Sequence, residues 1–181
     1  MSREFLNQID PIRKTRLLSI SKNSRDHLQI DNSPPTKSAG LYWIYTSYND
    51  DELKASTSSD DKGAIDICSM MSLHEGLPKI CSINQQSKDK KKFRLVYNGI
   101  AGKSLGIRGR IHQHFNGGKG TGCLSICKSS LNNLDNWRVS YLVLEHDDRN
   151  LIDIDASYEL HAKNLERIWR LENGWPLLCK T

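Results

Sequence analysis

One short stretch of the sequence alternates arginine and histidine at helical spacing. Its four basic side chains are Arg108, Arg110, His112 and His114. In both pairs the guanidinium precedes the imidazole by one helical turn, so a fixed cation and a titratable group share a face. Such a pair suits a scissile phosphate, because arginine neutralises developing charge and histidine holds or moves a proton. A solvated amphipathic helix with basic edges is the alternative interpretation.

Apolar spacing predicts a helix over residues 106–115. The stripe expected to face a sheet consists of Ile107, Ile111 and Phe115. The two arginine–histidine pairs flank opposite edges of this stripe, so the spacing leaves both pairs as candidates. A strand-like run that carries Tyr97 directly precedes the helix.

Three strands are predicted from runs rich in aromatic and β-branched residues, at 40–48, 92–100 and 137–145. Alternation puts Leu41, Trp43 and Tyr45 on one face of the first strand. Its other face is then formed by Tyr42, Ile44 and Thr46. Further helices are predicted at 5–18 (interrupted at Pro11), 124–134 and 157–171. This order of elements predicts a small α+β domain with few strands.

Composition narrows the class of protein. A chain of 181 residues fits one domain, and its net charge of +5 favours an anionic partner. It has no apolar run long enough to cross a bilayer and no signal-peptide core, so we expect a cytoplasmic protein without a membrane partner. Five cysteines suit a reducing compartment. Cys123 and Cys127 lie near two histidines, which leaves a zinc-containing interaction protein as an alternative.

The chain divides by composition into three parts. Residues 1–38 are predicted to form an N-terminal extension that ends in a polar, proline-containing connector. Residues 39–181 are predicted to form the main domain. Within it, residues 49–92 run from an acidic, serine-rich segment to a lysine-rich one and are interpreted as an insertion between the first two strands.

The first predicted strand begins with Gly40-Leu41-Tyr42, and the second contains Tyr97-Asn98-Gly99. These two tripeptides resemble motifs of the GIY-YIG nuclease family. Gly40-Leu41-Tyr42 stands where the family has Gly-Ile-Tyr. Tyr97-Asn98-Gly99 stands where it has Tyr-Ile-Gly, with asparagine in place of isoleucine. The long separation of the two tripeptides, in contrast to the family's short hairpin, is what makes 49–92 an insertion.

Two further motifs continue the resemblance in the same order. Arg110 and His114 match the family's arginine, three residues, then histidine on the first helix. Glu166 lies ten residues before Pro176, near the family spacing of a metal-binding glutamate before a proline turn. The resemblance covers residues 39–48 and 93–181. Cys179 stands where many members have an asparagine.

The resemblance implies a mostly antiparallel three-stranded central sheet flanked by helices, and a divalent-metal-dependent endonuclease that hydrolyses DNA phosphodiester bonds. Tyr42 and Tyr97 would then activate or position water. Arg110 would clamp the phosphate and His114 would belong to the proton network. Glu166 would bind Mg²⁺ or Mn²⁺, since magnesium accepts one or two carboxylates and retains several waters.

Contacts to the DNA backbone are expected from Lys103, Arg108 and His112. A restriction enzyme or a phage or mobile-element nuclease would fit this arrangement, and a homodimer would suit cleavage of both strands. Glu159, seven residues before Glu166, is an alternative metal ligand. A second interpretation keeps the fold but not the chemistry: a nucleic-acid-binding module in which Cys179 and the long insertion have disabled cleavage.

Overall fold

The computed structural model describes residues 3–77, 79–144 and 154–180. The α-helices are α1 (Arg3–Thr15), α2 (Asp50–Lys54), α3 (Ile67–His74), α4 (Gly106–Asn116) and α5 (Ile154–Asn173). The strands are β1 (Leu18–Lys22), β2 (Leu28–Ile30), β3 (Gly40–Thr46), β4 (Asn84–Gln86), β5 (Lys92–Ala101) and β6 (Trp137–Val143). Among the described residues, no helix is both long enough and apolar enough to cross a membrane.

The described strands form one six-stranded sheet in the order β2-β1-β6-β3-β5-β4, with every neighbouring pair antiparallel. The α+β class is confirmed, but the prediction of three strands is wrong. β1 and β2, from residues 1–38, extend the sheet beyond β6, and β4, from residues 49–92, extends it beyond β5. β4 is a polar tripeptide. β1 and β2 bury Ile20, Leu28 and Ile30, but with five and three residues they are too short to give a clear strand pattern in the sequence.

The three predicted strands form the centre of the sheet, with β3 buried along its whole length between β5 and β6. The first prediction extends too far, because the chain leaves β3 after Thr46 and Asn49 caps α2. The predicted end of the third strand at residue 145 lies outside the described residues. α5 confirms the predicted C-terminal helix and is longer than expected.

Two helix predictions differ from the structure. Residues 124–134 do not form an α-helix; they contain a short 3₁₀ turn at Ile126–Lys128, and a second 3₁₀ turn follows at Leu134–Asn136. Ser125 adopts a left-handed backbone conformation (φ 48°), which a continuous helix of L-residues cannot include. At the N-terminus, α1 continues through Pro11 and ends at Thr15 rather than at residue 18.

The sheet separates two apolar cores, as the alternation in β3 predicts. On one face, Tyr42 and Ile44 belong to the core that contains the stripe of α4: Ile107, Ile111 and Phe115. On the other face, the core around α1 and α5 is formed by residues that include Leu41, Trp43, Tyr45, Leu165 and Trp169. Trp43 and Trp169 meet edge to face at 6.1 Å between ring centroids. α4 and α5 therefore lie on opposite faces of the sheet.

The insertion is bound to the end of the chain. Cys81 donates its backbone N–H to Trp175 O over 2.9 Å, and His74 Nδ1 lies 2.6 Å from Leu177 O. The same C-terminal segment runs beside β5, where Leu178 N–H donates to Val96 O over 2.8 Å. Because β4 pairs with only the first residues of β5, this segment covers part of the strand edge that β4 leaves open.

Candidate active site

Three of the predicted site residues meet on the α4 face of the sheet. The Tyr42 hydroxyl, on β3, lies 2.9 Å from His114 Nε2, on α4. The rings of Tyr42 and Tyr97 are nearly parallel, with an interplanar angle of 21° and 6.2 Å between centroids. The Tyr97 ring, on β5, is 4.4 Å from that of His114. Residues far apart in the sequence thus form one aromatic cluster.

A β-bulge orients Tyr97. Tyr97 pairs with Ile44, but the next register pair is Tyr45 with Leu95, which leaves Val96 as an extra residue in β5. The bulge shifts the alternation of the strand, so that Leu95 faces the α5 side while Tyr97 faces α4. The sequence pattern of β5 contains no signal for this shift.

Gly99 makes room for the Tyr42 phenol. It is the register partner of Tyr42, and a Cβ at this position would lie 2.4 Å from the phenol oxygen. Gly40, at the start of β3, is similarly restricted, because a Cβ there would lie 2.0 Å from Leu142 O. The glycines of the two tripeptides thus permit close packing of strands and ring.

His114 is fully buried, and its tautomer follows from its contacts. Leu124 donates its backbone N–H to Nδ1 over 3.3 Å, so the neutral ring carries its proton on Nε2. Nε2–H then donates to the phenol oxygen of Tyr42. Burial, followed by the nearby Arg110 charge, lowers the pKa of His114 well below its usual 6.5. The imidazole is therefore neutral at physiological pH and leaves the Tyr42 hydroxyl hydrogen for another acceptor.

Arg110 is half-buried on the same edge of α4 as His114. Its guanidinium donates to Gln113 Oε1 over 2.8 Å and to Thr121 O over 2.9 Å. Burial alone would lower the pKa of Arg110, but the neighbouring phenols of Tyr42 and Tyr97 outweigh it and raise that pKa. The side chain is a permanent cation that the loop after α4 holds in place.

The other arginine–histidine pair has different surroundings. Arg108 is exposed, and His112 is half-buried with its Nε2 unpaired. Burial and then Arg108 lower the pKa of His112. The structure thus places Arg110 and His114, rather than this pair, beside the tyrosines. Lys103, also exposed, precedes α4 and lies with Arg108 near the start of that helix.

The two phenols are hard to ionise in this site. Burial, together with Cys179 and Glu166, raises the pKa of Tyr97 to about 12, although Arg110 acts in the opposite direction. Burial and then Tyr97 also raise the pKa of Tyr42 well above the usual value of a phenol. Both hydroxyls are protonated near pH 7, so as the site stands they orient other groups by hydrogen bonds. Deprotonation would require an additional positive charge beside the oxygen.

Glu166 lies on α5, on the opposite face of the sheet from α4, and it acts on the Tyr97 phenol through its charge. Its Oε1 accepts a bond of 2.8 Å from Arg170, whose Nε donates to Asn98 Oδ1 over 2.9 Å. Burial raises the pKa of Glu166, while the arginines Arg170 and Arg167 lower it. Arg170 thereby connects α5 to the middle residue of the second tripeptide. We did not predict its role, although its spacing of four from Glu166 on a helix was the available signal.

Glu166 is the one predicted metal ligand whose side chain the structure describes, and its carboxylate is paired with Arg170. No group of three histidine, cysteine, aspartate or glutamate side chains that could hold a metal occurs in the described part of the chain. Magnesium tolerates one carboxylate when waters and substrate phosphate supply the other ligands. The side chain of the alternative ligand, Glu159, lies outside the described side chains. Cys123, considered above for zinc, instead contacts Ser125 Oγ at 3.3 Å.

Cys179 occupies a structural position beside the second tripeptide. Asn98 N–H donates to its sulfur over 3.3 Å, and the thiol lies 3.3 Å from Asn98 O. The side chain is buried, and that burial raises the pKa of the thiol to about 12, so it stays protonated. A neutral thiol can both accept and donate here, although each bond is weak. It supports the edge of β5 directly behind Tyr97.

Comparisons with protein-family models, with characterised proteins and with solved structures give no match to this chain. The function is therefore inferred from the geometry of the site and from the residues that form it.

Proposed function

We propose that this protein is a divalent-metal-dependent endonuclease of the GIY-YIG type that hydrolyses DNA phosphodiester bonds. The observation that carries the proposal is the convergence of Tyr42, Tyr97 and His114, with Arg110 on the same helix edge as His114. A tightly packed hydroxyl–imidazole–hydroxyl cluster beside a fixed cation provides both water positioning and charge for a phosphoryl centre. The four motifs expected from the family resemblance supply these residues and Glu166.

Each side chain has a distinct role in this proposal. Arg110 binds a non-bridging phosphate oxygen and stabilises the charge that develops on it. Tyr97, the more exposed of the two tyrosines at 9%, orients the attacking water. Tyr42 orients Tyr97 from within the cluster, and neutral His114 fixes the Tyr42 hydroxyl through Nε2–H. The site thus presents one aligned hydroxyl and one cation to the substrate.

Glu166 would hold the metal ion. Bound Mg²⁺ or Mn²⁺ would polarise the phosphate and lower the pKa of water or of a nearby hydroxyl. The phenols would need such a positive charge in addition to that of Arg110, since with Arg110 alone the pKa of Tyr97 is about 12. Arg170 is paired with Glu166 and would keep the carboxylate charged and oriented until the metal ion binds.

The substrate side of the proposal is DNA. Lys103 and Arg108 are exposed near the start of α4 and would contact backbone phosphates, with His112 beside them. We also propose a cytoplasmic location and a homodimer that cuts both strands. The biological role proposed is restriction, or the activity of a phage or mobile element.

A second candidate function is a nucleic-acid-binding module of the same fold. One specific contact favours it: the Glu166 carboxylate is neutralised by Arg170 at 2.8 Å and lies only partly exposed. If a metal ion does not displace that guanidinium, the phenols stay protonated and the site binds phosphate without cleaving it.

The two functions are separated by incubating purified protein with plasmid and single-stranded DNA, in Mg²⁺ or Mn²⁺ against chelator. Cleavage that requires metal and is lost in Glu166→Ala and Arg110→Ala supports the endonuclease. Binding without cleavage supports the module. If the wild type never cuts, or both variants cut as well as it does, the nuclease proposal is wrong.

A further inference from the structure

The insertion reaches the loop that follows α4. Gly120 donates its N–H to Lys62 O over 3.0 Å, and Ile65 donates its N–H to Cys123 O over 2.8 Å. Thr121, in the same loop, supplies the carbonyl that holds Arg110. Residues 61–65 of the insertion are therefore in backbone contact with the loop that carries the partner of Arg110.

Asp61 binds this loop at two places. Its Oδ2 accepts a bond of 3.1 Å from Ser125 Oγ, and both carboxylate oxygens accept from Lys128 Nζ, at 2.8 and 2.9 Å. The same oxygen fills the space beside Gly117, where a Cβ would lie 2.0 Å from it. Gly117 follows the last residue of α4 and has a φ of 91°, so only glycine fits both requirements. Asp61 thus packs against the start of the loop and hydrogen-bonds to its end.

The end of the loop determines the protonation pattern of His114. Ser125 follows Leu124, whose N–H donates to His114 Nδ1. Ser125 is held at a φ of 48°, an unfavourable conformation for serine that persists only when its surroundings fix it. The carboxylate of Asp61 is one such constraint, since it accepts the Ser125 hydroxyl. Moving Ser125 would move the donor that keeps the His114 proton on Nε2.

We propose that Asp61 is a positioning residue of the candidate active site, acting through residues 117–125 to fix the tautomer of His114 and the orientation of Arg110. In this proposal the insertion stabilises the position of α4 and does not form a separate module. This inference rests on the proposed function for its effect on cleavage, but its effect on His114 exists whether or not the protein cuts DNA.

The test is Asp61→Asn in the full chain, with Asp60→Asn as the matched control. Asp60 is adjacent and exposed, so its substitution removes the same charge. Side-chain ¹⁵N–¹H correlation spectra of ¹⁵N-histidine-labelled protein report the tautomer, and His114→Gln assigns the His114 signal. Wild type and Asp60→Asn should show one Nε2–H tautomer near pH 7. Asp61→Asn should show a mixture of tautomers, or an imidazole that protonates at higher pH than in the wild type.

Cleavage provides the second readout. We expect Asp61→Asn to lower kcat by up to about 100-fold with little change in KM, because a shift of about 1 Å in a catalytic group has that effect. If wild-type protein does not cut DNA, the proposed function fails, yet the spectra still decide the role of Asp61. A folded Asp61→Asn with the wild-type His114 signal overturns the inference.

Milder variants cover the case in which Asp61→Asn does not fold. Ser125→Ala removes only the hydroxyl that donates to Asp61, and Lys128→Gln removes only the ammonium partner. At least one of them should shift the His114 signal in the direction expected for Asp61→Asn. If both fold and both retain the wild-type tautomer, the inference is wrong.

Discussion

The phenol oxygen of Tyr42 packs against Gly99, its register partner on the neighbouring strand, so closely that a Cβ added to Gly99 would lie 2.4 Å from it. Real Cβ contacts do not approach to that distance. The Tyr42 ring is also held from the other side by His114, whose Nε2 lies 2.9 Å from the same oxygen. Gly99, in the second tripeptide, therefore restricts the position of Tyr42, in the first.

Gly99→Ala should disable the site. The added methyl group must displace Tyr42 or separate β3 from β5, and overpacking of this kind costs about 1–3 kcal/mol. We expect a lower free energy of unfolding in denaturant titrations and loss of metal-dependent cleavage. Gly102→Ala is the control, because a Cβ there meets nothing within 4 Å. Equal effects of the two substitutions would show that the Tyr42–Gly99 contact is unimportant.

Cys179 should be replaceable by serine but not by alanine. Alanine leaves the buried N–H of Asn98 without an acceptor, which costs about 1–3 kcal/mol. Serine keeps an oxygen that can accept and donate, so its loss of stability should be smaller. Chemical unfolding of both variants measures the difference. If Cys179→Ala is as stable as Cys179→Ser, the thiol does not support β5.

His114 should make the protein sensitive to acid. Its pKa is well below 6.5 in the folded state and near 6.5 when unfolded, so below that pH the unfolded state binds the extra proton. Stability should fall as pH drops below 6.5, by up to about 1.4 kcal/mol per pH unit for one such group. His114→Gln should reduce this slope between pH 5 and 6.5, which unfolding titrations of both proteins at several pH values would measure. Identical slopes in the wild type and His114→Gln would contradict a buried neutral His114.

Arg110 and Arg108 should differ in cleavage assays. Arg110→Ala removes the cation beside Tyr42 and Tyr97, and loss of one charge-stabilising group costs about 100-fold or more in kcat. Arg108→Ala removes an exposed side chain and should instead weaken DNA binding and its dependence on salt. Single-turnover rates and binding at two salt concentrations distinguish these effects. A larger loss of rate in Arg108→Ala would favour the other arginine–histidine pair.

The centre of the fold could be predicted from sequence because its signals are local. Aromatic and β-branched runs indicated β3, β5 and β6, and the stripe of α4 indicated which side faces the sheet. The outer strands could not be predicted, because β1 and β2 are short and β4 is a polar tripeptide that forms by pairing with β5 and not through burial. The predicted helix after residue 124 failed because the left-handed conformation of Ser125 depends on tertiary contacts.

The residues of the candidate site could be predicted from the sequence, but the contacts that hold them in position could not. Spacing alone left two arginine–histidine pairs open, and only the packed structure places His114 against Tyr42. The contacts of Asp61 with Ser125 and of Arg170 with Asn98 join segments far apart in the chain. No sequence pattern encodes such pairs, because each depends on the final course of the insertion or of α5.

The most direct test of the central claim is the single-turnover rate of plasmid cleavage by Tyr97→Phe in Mg²⁺. The substitution removes one oxygen and leaves the ring that packs at 4.4 Å from His114. If Tyr97 orients the attacking water, the rate should fall by about 100-fold or more while DNA binding and the unfolding transition stay as in the wild type. Cleavage by Tyr97→Phe at the wild-type rate would contradict a hydrolytic centre built on these tyrosines.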